Sequence, residues 1–395
     1  MKVLMINHFP IAGSGSGTYT RNIAVHLMKK GHDVSIIFPE NTTQFTMPAG
    51  AKAYPVFFSY EQPIPDALPF NFPCFTTHPR SMMTFFDLSD EQLDAYLAAF
   101  EKTIEKAIAE FKPDIIHAQH IWLLSWLARK TGLPYVVTAH GTDLMGFQKT
   151  SRFRRYATEA ASGAKRIITI SNDNDELVKE LFPGSSDRTV FMRNGYDPER
   201  FFPEKTGARR ILAAFDILLK KKLVMFAGKL AYFKGVDVLL EAARLYEGER
   251  PDEIVTVIAG DGELAEQLKK QAEKIALRDM HFLGSLDISQ LRALYSAADV
   301  CVVPSRREPF GLVAVEALAC GCPVIATNQG GLPDIINDDV GALIDVDDAF
   351  GLSVAIQKEL YRKDRLERKK TAADYAYEKY AQDSLMDTLI EIFNS

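Results

Sequence analysis

Long apolar runs are missing from this chain. No stretch of about eighteen or more apolar residues occurs, which excludes a spanning helix on length alone. Cysteine is scarce: Cys74, Cys301, Cys320 and Cys322 are the four, and none has the C-x-x-C spacing of a zinc or redox motif. They read as small buried hydrophobes in a reducing compartment. No glycine loop closes in GKS or GKT, so there is no Walker A site, and no H-E-x-x-H or carboxylate-rich cluster announces a metal. Basic charge is not in excess either. Lys and Arg number 46 against 52 Asp and Glu, a net charge of −6, so no broad basic surface exists for nucleic acid. The short basic runs at 152–155 and 220–222 do not change that. The first strand begins almost at Met1, leaving no room for a signal peptide, and a cytoplasmic location is expected.

What is present is a repeated α/β grammar. A chain of 395 residues, 47% apolar and 25% charged, is too long for one ordinary core, and two domains follow. Apolar runs predict strands over 2–7, 34–38, 114–119, 135–139, 166–171 and 189–192. A helix over 18–30 is closed by Gly31. After a stretch at 197–207 rich in proline and charge, the pattern restarts with strands over 222–227, 254–259, 280–283, 300–303 and 324–326. Unbroken apolar strands separated by helices indicate parallel sheets covered on both faces. The expected architecture is α/β, two Rossmann-like domains facing across a cleft, with ligands beyond the C-terminal ends of the strands. The limits are 1–200 and 201–378, followed by a C-terminal helix over 379–395 that packs back on the first domain. Leu385, Leu389, Ile392 and Phe393 form its apolar stripe.

One interval resists this reading. Residues 41–80 hold Pro48, Pro55, Pro63, Pro65, Pro69, Pro73 and Pro79 and no stable period. A loop so long is expected to be functional. Phe57, Phe58, Tyr60, Phe70, Phe72 and His78 either wall a second substrate's pocket or fill a local core beneath it.

The most informative span is 304–327, PSRREPFGLVAVEALACGCPVIAT. With a helix starting near Gly311, Glu308 lies just before its N-terminus and Glu316 in its second turn. Helix N–H groups suit an anion and a carboxylate suits a polyol. A sugar nucleotide has both. The loop Gly13-Ser14-Gly15-Ser16-Gly17 would bring amides close to a phosphate. As a dinucleotide fingerprint it fails, since Thr18 stands where a third glycine belongs, although Glu40 ends the second strand where a ribose carboxylate would sit. His140-Gly141-Thr142-Asp143 follows a strand, and His140 is placed to donate to a sugar hydroxyl or a developing charge near neutral pH. His8, His117 and His120 are weaker cases of the same kind. Lys229 and Lys234 can converge on a diphosphate and stabilise a leaving group. Gly260-Asp261-Gly262-Glu263 either touches the nucleotide or makes a corner.

Together these residues resemble the retaining, nucleotide-sugar-dependent glycosyltransferases of GT-B fold with an E-x7-E signature. That group includes bacterial mannosyltransferases, sucrose-phosphate synthases and glucosaminyl-malate synthase. The resemblance rests on 308–324, with support from HGTD at 140–143, NGYD at 194–197, GKL and KG within 228–235, GDGE at 260–263 and NQGGLPD at 328–334. It implies that Gly15, Ser16 and Gly17 approach the donor phosphate and that His140 faces the transferred sugar. Lys229 and Lys234 would hold the diphosphate, Glu308 the sugar hydroxyls and Glu316 the ribose. Phe310, Gly311 and Leu312, with Asp261, would complete donor binding. Lys229 stands where the family often has arginine. Asn7, His8, His78, His120 and Asp143 are the acceptor-side candidates.

The implied reaction moves a hexose from a UDP-, GDP- or ADP-sugar to a small soluble acceptor bearing a hydroxyl, with no cofactor and no metal. Peripheral membrane contact and a homodimer are both compatible with it. A GT-B-like nucleotide-sugar epimerase, or a non-catalytic nucleotide-sugar-binding protein, would share the same motifs.

Overall fold

The computed structural model describes residues 1–59, 63–76, 78–204, 207–215, 217 and 220–395. The chain forms two compact units, one of Met1–Asn194 with Leu385–Ser395 and the other of Gly195–Ser384. Each is an α/β unit built on one all-parallel sheet, the pair of Rossmann-like folds that makes up the GT-B class.

In the first unit the strands are β1 (Lys2–Ile6), β2 (Asp33–Glu40), β3 (Lys52–Phe57), β4 (Ile115–Gln119), β5 (Tyr135–Thr138), β6 (Arg166–Thr169) and β7 (Thr189–Phe191). They lie in the order β3-β2-β1-β4-β5-β6-β7. The strand order reverses between β1 and β4, and such a switch point opens a crevice at the strands' C-terminal ends. In the second unit, β8 (Lys222–Ala227), β9 (Ile254–Ala259), β10 (Met280–Gly284), β11 (Val300–Val303), β12 (Val324–Thr327) and β13 (Gly341–Ile344) run in the order β10-β9-β8-β11-β12-β13. Here the switch point lies between β8 and β11. Every residue of β4, β9, β11 and β12 is buried, as strands covered on both faces must be.

The helix after β1 spans Gly15–Lys29 and so begins before the expected Thr18. Ser14 explains the difference: its side chain accepts from the Gly17 amide at 2.9 Å, capping the helix inside the glycine loop. Tyr19, Ile23, Ala24 and Leu27 bury one face of it.

The interval 41–80 also departs from expectation, because it contains a strand. β3 pairs with β2 along its length, with Pro55 opposite Phe38. Proline is tolerated there because β3 is an edge. Beyond it Phe58, Phe70 and Phe72 are buried in one cluster with Phe85, Tyr96 and Phe100. These rings fill a core and do not wall a pocket; Tyr60 lies outside the described residues. β13 is a further strand that the apolar runs do not announce.

The C-terminal helix Gln382–Asn394 inserts Met386, Leu389, Ile392 and Phe393 among Val3, Met5, Ile36 and Val136 of the first unit. Lys30 pairs with Asp387 at 2.5 Å, and Lys165 Nζ donates to the Phe393 carbonyl at 3.0 Å. No helix among the described residues is long and apolar enough to cross a membrane.

Candidate active site

In the second unit the polar residues gather at the ends of β8 and β11. Gly235 follows Lys234 at φ +66°, and a Cβ there would stand 2.0 Å from the Pro304 carbonyl oxygen. Only glycine lets the loop after β8 press on the loop after β11. Gly330 does the same from the loop after β12, since a Cβ would meet the Glu308 carbonyl oxygen at 2.1 Å. The Gly331 amide donates to that carbonyl at 2.9 Å. Glu308 is thus held from both sides.

Its side chain is largely shielded from solvent. Glu308 Oε2 accepts from Lys234 Nζ at 2.5 Å and from Ser305 Oγ at 3.3 Å, and only 11% of the side chain is exposed. Lys229 Nζ stands 3.6 Å from Glu263 Oε2. Both lysines expected to meet a diphosphate therefore face carboxylates. Gly311 caps the helix Leu312–Ala319 at φ +112°. Phe310 is buried, and Leu332 packs where a Gly311 Cβ would be. Asp261 Oδ1 accepts from the Gly262 amide at 2.8 Å, which braces the corner, and the residue is exposed.

Glu316 sits differently. Burial pushes its carboxyl up to about 8, with Arg200 pulling the other way. Its charge is felt at Tyr295, whose buried hydroxyl has no hydrogen-bond partner among the described residues. At neutral pH Glu316 is largely protonated and can donate as well as accept.

Arg306 escaped the sequence reading. It forks onto Asp237 at 2.9 and 2.7 Å and reaches Asp347 at 2.7 Å. These pairs raise its already high pKa and tie the Glu308 loop to the helix Val236–Glu249. A lone arginine beside a recognised motif carries no pattern; only its partners' positions reveal the role.

In the first unit, His140 follows β5. Its Nε2 meets Gln119 Oε1 at 2.9 Å, and the rings of His120 and Tyr19 lie 4.6 and 5.1 Å away. Burial lowers its pKa to about 3, so it acts near neutrality as an uncharged imidazole and not as a titrating one. His8 and His117 are lowered to about 3, chiefly by the same burial, and burial holds His120 well below its ordinary value. Among the described residues, no group of His, Cys, Asp and Glu could hold a metal ion.

Several acceptor-side candidates turn out to be committed inside the protein. Asp143 accepts from the Ile121 amide at 2.7 Å and the His140 amide at 3.1 Å, clamping the loops after β4 and β5; burial raises its pKa to about 6. His8 is buried, with Nδ1 on Tyr96 Oη at 2.8 Å and Nε2 accepting from the Leu124 amide at 3.3 Å. Asn7 braces the glycine loop through Ser16 at 3.4 Å and Thr20 at 3.3 Å. His120 is buried at φ +72°. Within the loop, a Cβ on Gly17 would meet the Pro10 carbonyl oxygen at 2.4 Å, whereas Gly15 faces open space. Gly17 serves packing and Ser16 is buried, so of the three residues expected at the donor phosphate Gly15 is the exposed one.

Beside this loop the structure shows a cavity of about 200 Å³ that includes Ala12, Glu40, Gln44, Phe45, Thr46 and Arg80 in its lining. Glu40 is not free for a ribose: both terminal nitrogens of Arg80 hold it. His78 accepts from the Arg80 amide at 3.1 Å and lies against Gly13.

Two family models match the chain, Glycosyltransferase Family 4 over residues 13–200 and Glycosyl transferases group 1 over residues 209–379. A glycogen synthase of Mycobacterium tuberculosis is 30% identical, covering 96% of this chain and 92% of its own. This chain belongs to the GT-B glycosyltransferases. A D-inositol 3-phosphate glycosyltransferase of Geodermatophilus obscurus is 32% identical over 308 residues, 71% of this chain and 68% of that protein. Among solved structures, a sucrose-phosphate synthase from Thermosynechococcus elongatus has a TM-score of 0.79 at 19% identity, covering 100% of this chain and 98% of that one. Anabaena HepE in complex with UDP and glucose has a TM-score of 0.75 at 19% identity, with 100% of both chains covered. At that identity the glycosyltransferase shares their fold.

Proposed function

We propose that this glycosyltransferase moves a hexose from a UDP-, GDP- or ADP-sugar to a hydroxyl of a small soluble acceptor, with retention at the anomeric carbon. The observation that carries the reading is the Lys234–Glu308 pair at 2.5 Å, locked between loops by Gly235 and Gly330. A diphosphate drawing Lys234 away would release Glu308 to accept hydrogen bonds from sugar hydroxyls, so one ligand engages both groups. Lys234 and Lys229 then stabilise the charge that gathers on the departing phosphate. Glu316 binds the ribose, and His140, uncharged, offers the transferred sugar a hydrogen bond. The complex of HepE with UDP and glucose, a neighbour in fold, supports a nucleotide-sugar donor.

Retention follows most simply from front-face attack. The bond from the anomeric carbon to the phosphate oxygen breaks, the acceptor oxygen bonds on the same face, and its proton passes to the leaving phosphate. Double displacement would need a free carboxylate nucleophile. In this reading the released Glu308 is taken up by sugar hydroxyls, Glu316 is largely protonated and Asp143 is spent on two amides, which favours the front-face route. The test is a panel of UDP-, GDP- and ADP-hexoses, scored for nucleoside diphosphate release with and without a small-molecule extract. Release with one donor that rises with extract is the expected result. Epimerised sugar formed without acceptor, or donor binding with no cleavage under any condition, would overturn the assignment.

A further inference from the structure

The cavity beside the glycine loop holds none of the residues assigned to the donor, yet its floor is built with care. Glu40 is 2% exposed; one oxygen takes the Asn41 amide at 2.9 Å, and both oxygens are held by Arg80. Arg80 places one more bond on Asn41 Oδ1 at 3.3 Å. Its carbonyl accepts from Asn71 Nδ2 at 2.8 Å and Asn41 Nδ2 at 3.0 Å, so its main chain is fixed as well. A guanidinium carries five N–H donors, of which these bonds use three. Glu40 Oε2 accepts from Arg80 alone and retains a lone pair. The pair therefore offers donors and an acceptor side by side while its charges cancel.

Phe45 lines the same cavity and is braced edge-on against Phe38 at 5.3 Å between ring centres. An aromatic face next to a planar donor–acceptor pair suits a hydroxyl-bearing ring. The ring's C–H face packs on Phe45, and neighbouring hydroxyls give one proton to Glu40 and take one from Arg80. A phosphate dianion fits poorly, because Glu40 already neutralises Arg80 and would repel it. A nucleotide or a lipid is too large: about 200 Å³ lies below the ~300–1,000 Å³ of drug-sized pockets.

We propose that this cavity is the acceptor site, and that the acceptor presents to it a compact neutral polyol ring, a monosaccharide or a cyclitol, bound by Glu40, Arg80 and Phe45. Its role as acceptor rests on the proposed transfer reaction; the binding itself does not. The experiment is saturation-transfer NMR of myo-inositol, D-glucose, N-acetylglucosamine and the monophosphates of inositol and glucose. It is run on wild type, Thr46→Trp and Phe45→Ala, with UDP affinity measured in parallel. Thr46 is exposed, so the Thr46→Trp indole plugs the cavity without disturbing the core, and Phe45→Ala removes the platform without plugging it. At least one neutral ring is expected to bind wild type and to weaken tenfold or more in both variants, with UDP affinity changed less than twofold. Equal binding to Thr46→Trp, binding of the monophosphates alone, or no ring bound by a protein that binds UDP would each overturn the site. If ring binding is lost in both variants while no nucleotide binds at all, the cavity stands and the transfer reading falls.

Discussion

Glu308 and Glu316 belong to one sequence signature but to opposite environments, and their variants should differ accordingly. Glu308 is ionically paired, so Glu308→Gln loses charged hydrogen bonds worth roughly 1.5–3 kcal/mol. A fall in kcat/KM of about 10- to 200-fold follows. Lys234 loses its partner in the same variant, so the melting temperature should drop by several degrees. Combining Glu308→Gln with Lys234→Met should cost less stability than the two single losses summed, because the pair is shared. Kinetics and melting curves on the three variants check this; additive losses would show that the pair does not couple. Glu316 is governed by burial. Its carboxyl lies at about 8 against an ordinary 4.5, so the folded state keeps a proton that the unfolded chain gives up. That contribution is full below about 4.5 and is lost as pH rises through about 8. Glu316→Gln removes the titration. Its melting temperature relative to wild type should therefore climb between about pH 5 and about pH 8.5. A difference that is flat with pH would place the carboxyl in water.

Elements turn these residues into a site through backbone contact. The loops after β8, β11 and β12 touch at Gly235 and Gly330 with no room for a methyl group. Gly330→Ala adds a Cβ at φ +58°, 2.1 Å from the Glu308 carbonyl oxygen, so the Glu308 loop must move. A displacement of about 1 Å can cost 10²-fold in rate. A loss of kcat/KM of that order is expected, larger than the loss of stability, and activity near wild type would show the loop to be tolerant. The sequence displayed most elements of this scaffold plainly. β1, β8 and β11 are nearly unbroken apolar runs and β9 is broken only by Thr256, and with β4 their C-terminal ends carry Asn7, Gln119, Lys229 and the loop to Glu308. β3 was hidden because Pro55 and half-buried alternate positions break its pattern at a sheet edge. Packing, not period, decided the fate of Phe58, Phe70 and Phe72. Spacing located His8, Asp143 and Asn7 at strand ends correctly, but it could not show that their polar atoms were already taken by Tyr96, two backbone amides and Thr20. Nor could it join Glu40 to Arg80 across forty residues of irregular chain.

At the scale of the molecule, the first unit is completed by the far end of the chain. Met386, Leu389, Ile392 and Phe393 are buried against it, each worth roughly 1.5–3 kcal/mol. Their sum, an upper bound, rivals the ~5–15 kcal/mol net stability of a domain. Removing residues 385–395 should abolish cooperative folding of the first unit, seen as loss of its melting transition; an intact transition would mean the helix only decorates the surface. In each unit the candidate residues lie beyond the C-terminal ends of parallel strands, and retention of configuration is central to the transfer proposed for them. It is tested most directly by incubating the enzyme with an α-linked nucleotide sugar and its acceptor and reading the configuration of the new glycosidic linkage from its anomeric proton by NMR. An α-linked product is expected; a β-linked product would contradict front-face transfer and the roles proposed for Glu308 and Lys234.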